Sequence, residues 1–159
     1  MTKDEDITID DIRRMCYLDA VIKESQRLYP PVPHFLRKIT EEIELGNYTI
    51  PKGVTVAVLL KALHSDPNEF PDPFKFRPER FLRENESQSD NPFRFSPFSG
   101  GARNCIGQKF AINEMKVILS KVLTKFEIRS LEKRSEVKAI DCMVSVPENG
   151  IKVKILPRS

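Results

Sequence analysis

The stretch "FSGGARNCIG", residues 98–107, puts a thiol, a guanidinium and three glycines into ten positions. An apolar-periodic run follows at once, so Cys105 stands just ahead of a helix start. Unpaired N–H groups and the positive end of the helix dipole gather there, a setting that favours a thiolate. Gly100, Gly101 and Gly107 let the backbone adopt positive φ or pass close to a flat or bulky partner. Arg103 can present a fork of donors to a carboxylate or phosphate. On residue types alone, a structural cysteine in an ordinary turn competes evenly with a reactive one, because free cysteines are commonly buried.

The chemistries open to a reactive Cys105 can be sorted by what stands around it. A nucleophile wants a histidine base, and the two histidines, His34 and His64, are remote in sequence. A cysteine phosphatase carries its arginine six residues after the cysteine, where this chain has Ala111. No G-x-x-x-x-G-K-[ST] phosphate loop occurs. A thiolate ligand to haem iron fits better, because such a ligand is single, anionic, shielded and held by backbone donors. Glycines suit the passage of a porphyrin plane, and an arginine suits a propionate.

The elements that must position this loop are legible in outline. The 159 residues, 40% hydrophobic and 31% charged, suffice for one domain with a real core. The net charge of +3 is spread along the chain, which points away from nucleic acid. Cys16, Cys105 and Cys142 are odd in number and form no C-x-x-C, so neither a disulfide framework nor a zinc site is expected. The longest apolar run, "VAVLL" at 56–60, is too short to span a bilayer, and the acidic "MTKDEDITID" is not a signal peptide.

Residues 8–29 read as helix. Thr8 and Asp11 imitate a capping box, Leu18, Val21, Ile22, Ser25, Leu28 and Tyr29 share a face, and a break is anticipated near Met15. Residues 34–60 read as β-structure with turns at "GN" and "PKG", followed by a helical turn at 61–64. Residues 66–97 hold six of the twelve prolines, and seven of the ten phenylalanines fall between Phe70 and Phe98. Dense proline forbids long regular elements and dense phenylalanine excludes a disordered linker, which predicts a packed meander. A helix is expected over 107–126, burying Phe110, Ala111, Met115, Ile118, Leu119, Val122 and Phe126, and a terminal β-hairpin over 140–156.

Three signatures now stand in order: Glu24-x-x-Arg27 on a helix, "PERF" at Pro78–Phe81, and Phe98-x-x-Gly101-x-Arg103-x-Cys105-x-Gly107. The first alone would be an ordinary i,i+3 surface pair worth roughly 0.2–0.5 kcal/mol. Together, in this order and spacing, they resemble the C-terminal, haem-binding third of the cytochrome P450 family. The match runs over residues 1–159. "YLDAVIKESQRLYPPVP", "ALHSDPNEFPDPFKFRPERF" and "RNCIGQKFA" are most similar to family four, a branch rich in fatty-acid hydroxylases and insect members. Ala102 departs from the proline usual there, which implies a slightly less rigid loop.

The resemblance implies a mainly α fold with small β-sheets, or α+β for the segment classed alone. It implies haem b with Cys105 as axial thiolate, Phe98 screening the sulfur, Arg103 and Arg37 on the propionates, and Gly101 and Gly107 completing the loop. Glu24, Arg27 and Arg80 would form a buried charge cluster that fixes the meander. Val32, Phe35 and Leu36 would line an apolar pocket floor. Arg94, Lys109 and Lys116 would dock a flavin-containing cytochrome P450 reductase fed by NADPH. The parent reaction would be O₂-dependent monooxygenation of an apolar substrate at the cytosolic face of the endoplasmic reticulum membrane. The family's anchor, distal oxygen-activating helix and most of its substrate pocket have no counterpart here, so the segment alone is expected to be inactive. A non-catalytic haem-binding fragment and a peroxide-rearranging enzyme needing no reductase remain as alternatives.

Overall fold

The computed structural model describes residues 7–82 and 91–158; residues 83–90 of the expected meander lie outside them. Helix α1 (Ile9–Arg14) starts on a capping box: the Asp11 N–H donates to Thr8 Oγ1 at 3.2 Å, and the Thr8 N–H donates to Asp11 Oδ2 at 3.0 Å. The Thr8 hydroxyl, donating to Asp11 Oδ2 at 2.6 Å, then the Thr8 N–H and Arg14, hold the Asp11 carboxyl at about 2. The helix breaks at Met15, and α2 (Cys16–Leu28) follows until Pro30.

Strands β1 (His34–Lys38), β2 (Ile43–Leu45), β3 (Tyr48–Ile50) and β4 (Thr55–Leu59) form two antiparallel pairs, β2–β3 sitting in sequence between β1 and β4. Gly46 at φ +60° and Gly53 at φ +92° make the turns that the sequence placed there. In the outer pair Arg37 opposes Val56 and His34 opposes Leu59. A short turn of helix, α3 (Leu60–Leu63), continues directly from β4.

The meander has a single 3₁₀ turn, Pro78–Phe81, among its described residues and otherwise follows no ladder. It closes on α2 through a small apolar cluster of Ala20, Phe70 and Phe81, with Leu82 and Phe95 at its edge. The rings of Phe81 and Phe95 lie 4.6 Å apart, and those of Phe70 and Phe81 6.4 Å apart. Beside these stand Glu24, Arg27 and His64, all fully buried. The inward face of α2 is therefore partly polar. Ser25 and Tyr29, expected on that face, are exposed, and Glu24, Gln26 and Arg27 are turned inward instead.

Helix α4 (Gln108–Lys125) forms where expected but does not bury the expected stripe. Phe110 is 71% exposed and Ile118 54%, Phe126 is exposed too, while Ala111, Met115, Leu119 and Val122 are half-buried. Its one buried residue is Lys116. Phe126 opens strand β5 (Phe126–Ser130) rather than ending the helix.

The terminal hairpin over 140–156 is also corrected. Strand β6 (Ala139–Asp141) pairs with β7 (Ser145–Pro147) in a small hairpin, whereas β8 (Val153–Pro157) returns to pair with β5. The partner of "VKILP" lies in "FEIRS", of which the expected helix took in only Phe126.

Candidate functional site

The cysteine loop is tied shut by its own backbone. The Cys105 N–H donates to the Phe98 carbonyl at 3.0 Å, and Asn104 donates to Gly101 at 3.1 Å. A 3₁₀ turn over Gly101–Arg103 reverses the chain, with Gly101 at φ +75° and Ser99 at φ +63°. The first suits glycine; the second is an uncommon conformation for serine. The Gln108 N–H ends on the Cys105 carbonyl rather than on its sulfur. Gly107 caps α4, and a Cβ there would make an ordinary van der Waals contact with Cys105 Sγ at 3.8 Å. Cys105 is a free, exposed thiol, as are Cys16 and Cys142.

Cys105 opens onto a cavity of about 340 Å³. Phe98, Arg103, Arg37, Val32 and Phe35 share its wall, so with Cys105 the structure brings together six of the nine residues expected to hold haem or to floor the pocket. Strand alternation decides which part of β1 takes part. Phe35 and Arg37 turn inward, and Leu36, 56% exposed, turns away and does not line this cavity. The Arg37 guanidinium lies 4.7 Å from the Phe35 ring centroid and donates to Ser99 Oγ at 2.9 Å, which fastens β1 to the cysteine loop. Gln26, which no sequence signal marked, also lines the cavity; its Oε1 is buried without a hydrogen-bond partner among the described residues.

The charge cluster starts on α2, the helix that also carries Gln26. Arg27 meets Glu24 in a two-pronged pair, Nε to Oε2 at 2.8 Å and Nη2 to Oε1 at 2.9 Å, with both side chains 0% exposed. Glu24 Oε1 also accepts from the Arg77 N–H at 2.9 Å and from Arg80 Nε at 3.4 Å. Arg27 then donates to the carbonyls of His64 (2.8 Å) and Lys75 (3.3 Å), and Arg80 to that of Asp72 (3.0 Å). Burial lowers the pKa of the Arg80 guanidinium; Glu24 opposes that shift. His64 is remote from Cys105 in sequence, yet its ring accepts the Ser96 N–H at 3.1 Å, two residues before Phe98.

The three cations expected to form a docking patch are not equivalent. Lys109 is exposed. Lys116 is 7% exposed and bound to Asp19 at 2.6 Å, joining α4 to α2. Burial raises the Asp19 pKa, but Lys116 and Lys23 outweigh it and hold the carboxyl below its usual range. Arg94 lies 5.5 Å from the Phe70 ring centroid and donates to the Glu69 carbonyl. The heptad spacing of Lys109 and Lys116 placed them near one face, but only the first reaches solvent freely.

A lone thiol is a poor site for a bare metal ion, and among the described residues no group of three His, Cys, Asp or Glu side chains gathers to hold one. A porphyrin iron takes a single axial thiolate from the protein and needs apolar walls for its ring. Its propionates need cations. The donor set of this cavity fits that group: one sulfur, aromatic and proline walls, and two arginines.

The comparisons agree with the geometry. The family model described as "Cytochrome P450" matches residues 1–155. The chain is 46% identical over 152 residues to "Cytochrome P450 4V2" of Mus musculus, covering 96% of this chain and 29% of that protein. It is 48% identical over 144 residues to "Probable cytochrome P450 4s3" of Drosophila melanogaster, covering 91% and 28%. Among solved structures, "Retinoic acid bound cyanobacterial CYP120A1" superposes with a TM-score of 0.88 at 31% identity, over 98% of this chain and 35% of that one. The chain thus spans less than a third of the length of these curated relatives.

Proposed function

This chain belongs to the cytochrome P450 family, and from that premise we propose that it forms the proximal wall of a haem-thiolate monooxygenase, with Cys105 as the ligand to iron. The observation that carries this reading is the convergence of the Cys105 thiol with Phe98, Arg37 and Arg103 on one cavity. When bound, the haem supplies oxygen activation, which an axial thiolate promotes by pushing electron density toward the iron. The chain's own residues hold and shield it. Phe98 would screen the sulfur once the haem is in place, Arg37 and Arg103 would meet the propionates, and Gly101 and Gly107 would complete the loop that carries the thiolate. Val32 and Phe35 face the substrate side and favour an apolar ligand.

Electrons would come from NADPH through a flavin reductase at the endoplasmic reticulum membrane. Lys109 is the cation most open to that partner. Among the described residues no helix is long and apolar enough to cross a membrane.

The test is spectroscopic. In the longest natural product that carries these residues, reduced protein with carbon monoxide should show the red-shifted Soret band of thiolate ligation, and Cys105→Ser should abolish it. Persistence of that band in Cys105→Ser would remove Cys105 as the ligand.

A further inference from the structure

His64 has a use beyond filling the core. It is 0% exposed and every polar group it owns except one is engaged. Its N–H donates to the Leu60 carbonyl at 2.8 Å, and its carbonyl accepts from Arg27 Nη1 at 2.8 Å. Its ring Nε2 accepts the Ser96 N–H at 3.1 Å, and the ring lies 5.1 Å from that of Phe95. Nδ1 alone has no partner among the described residues. One residue therefore touches the charge cluster through its backbone carbonyl and the entrance of the cysteine loop through its imidazole.

Ser96 is where that loop is set. Its carbonyl accepts the Ser99 N–H at 2.9 Å and its hydroxyl donates to the Phe93 carbonyl at 3.0 Å. Ser99 in turn is held by Arg37, and Phe98 accepts from Cys105. A shift of the Ser96 peptide would move both the screening ring and the anchor of the thiol.

We propose that His64 is a positioning residue, a neutral imidazole carrying its proton on Nδ1 whose bare Nε2 ties the Glu24–Arg27–Arg80 cluster to the Cys105 loop through the Ser96 N–H. The proposal rests on Cys105 being the haem ligand only for its effect on haem; the link itself stands on the protein geometry. The tautomer follows from the bond, because an imidazolium has no lone pair to accept with and the neutral ring must leave Nε2 unprotonated. Burial, and next the Arg27 charge, push the His64 pKa down to about 4, so the neutral ring prevails at physiological pH. The unpartnered Nδ1–H is costly, and this arrangement accepts that cost to keep Nε2 aimed at Ser96.

Glutamine carries an acceptor oxygen the same number of bonds from Cβ as Nε2, so His64→Gln can restore the link that His64→Leu removes. In the haem-free chain, long-range ¹H–¹⁵N spectra should show Nε2 unprotonated. Exchange of the Ser96 amide, measured against amides of α2, should quicken about tenfold in His64→Leu and stay close to wild type in His64→Gln. In the haem-loaded longest natural product, the thiolate carbon monoxide band should decay about tenfold faster in His64→Leu only. A protonated Nε2, an unchanged Ser96 amide in His64→Leu, or a His64→Gln protein as fast as His64→Leu would overturn the proposal. If His64→Leu does not fold, the tautomer and His64→Gln decide. Loss of the ligand assignment through Cys105→Ser would leave the Ser96 result standing, so the two failures are separable.

Discussion

Glu24→Ala separates two readings of the same four residues. As a solvated i,i+3 pair, Glu24–Arg27 would contribute about 0.2–0.5 kcal/mol, and its loss would hardly move a melting curve. The structure gives a different magnitude. Glu24 and Arg27 are both 0% exposed, and the Glu24 carboxylate accepts from Arg27 twice, from the Arg77 N–H and from Arg80. Truncation leaves the Arg27 guanidinium buried and charged with no anionic partner, held by the carbonyls of His64 and Lys75 and by the Phe70 ring 5.1 Å away. Breaking a buried pair from one side costs about 3–5 kcal/mol, against a total of about 5–15 kcal/mol for a typical domain. In a chain of 159 residues that is a fall in midpoint of roughly 10 °C. Denaturant and thermal unfolding of wild type, Glu24→Gln and Glu24→Ala measure it directly. Glu24→Gln preserves volume but not charge, so it should lose most of the same stability, and Glu24→Ala with Arg27→Met should recover part of the loss. A Glu24→Ala protein within about 0.5 kcal/mol of wild type would refute the reasoning, because only a hydrated pair is that weak.

His64 sets an acid limit. Its folded pKa of about 4 lies below the ordinary 6.5, so the unfolded chain binds the extra proton first. Stability is unaffected by this group above pH ~6.5, falls as pH drops toward about 4, and is lower by roughly 3 kcal/mol below that; a flat unfolding free energy between pH 7 and 4.5 in wild type, relative to His64→Gln, would contradict it. Lys116→Met should preserve folding, since it removes a buried charge together with its need for a partner, while Asp19→Asn should destabilise by about 1–3 kcal/mol by leaving Lys116 unpaired; equal melting of the two variants would disprove the asymmetry. Gly101→Ala meets no atom within 4 Å yet must hold φ +75°, so it should cost about 1–2 kcal/mol through backbone strain alone, read as a shifted denaturant midpoint. In the longest natural product, Lys109→Glu should slow reductase-supported reduction at low salt and leave haem content unchanged; salt-independent kinetics would place docking elsewhere.

What the sequence disclosed and what it withheld follow the range of the interactions. The capping box at Thr8, the glycine turns at 46 and 53 and the start of α4 depend on neighbours within a few residues, and each stands where it was read. The convergence of Cys105, Phe98, Arg103 and Arg37 came from the motif, and it too is present as one cavity wall. The misses involve distant partners. The pairing of β8 with β5 joins strands separated by a hairpin, and nothing in "GIKVKILP" names its partner. Lys116 reads as a surface lysine until Asp19 of another helix comes within 2.6 Å. On α4 the apolar spacing promised burial that Phe110 and Ile118 do not have among these residues. His64 was weighed only as a base for Cys105, whereas its contact is with the backbone of Ser96.

The polar inward face of α2 follows from what the meander lacks. Apart from the Pro78–Phe81 turn, its described residues have no ladder and no helix to receive their peptide groups, and a buried unpaired N–H or C=O costs about 1–3 kcal/mol. The charge cluster takes over that task. Arg27 satisfies the carbonyls of His64 and Lys75, Arg80 satisfies that of Asp72, and Glu24 satisfies the Arg77 N–H. An all-apolar α2 face would pack against the same phenylalanines but take away the partners that Arg27 and Glu24 give to three of these groups, the carbonyls of His64 and Lys75 and the Arg77 N–H. The cluster thus does for an irregular segment what cross-strand hydrogen bonds do for a sheet. It holds the meander in one conformation, and the Ser96–Cys105 loop inherits its position from that conformation through His64.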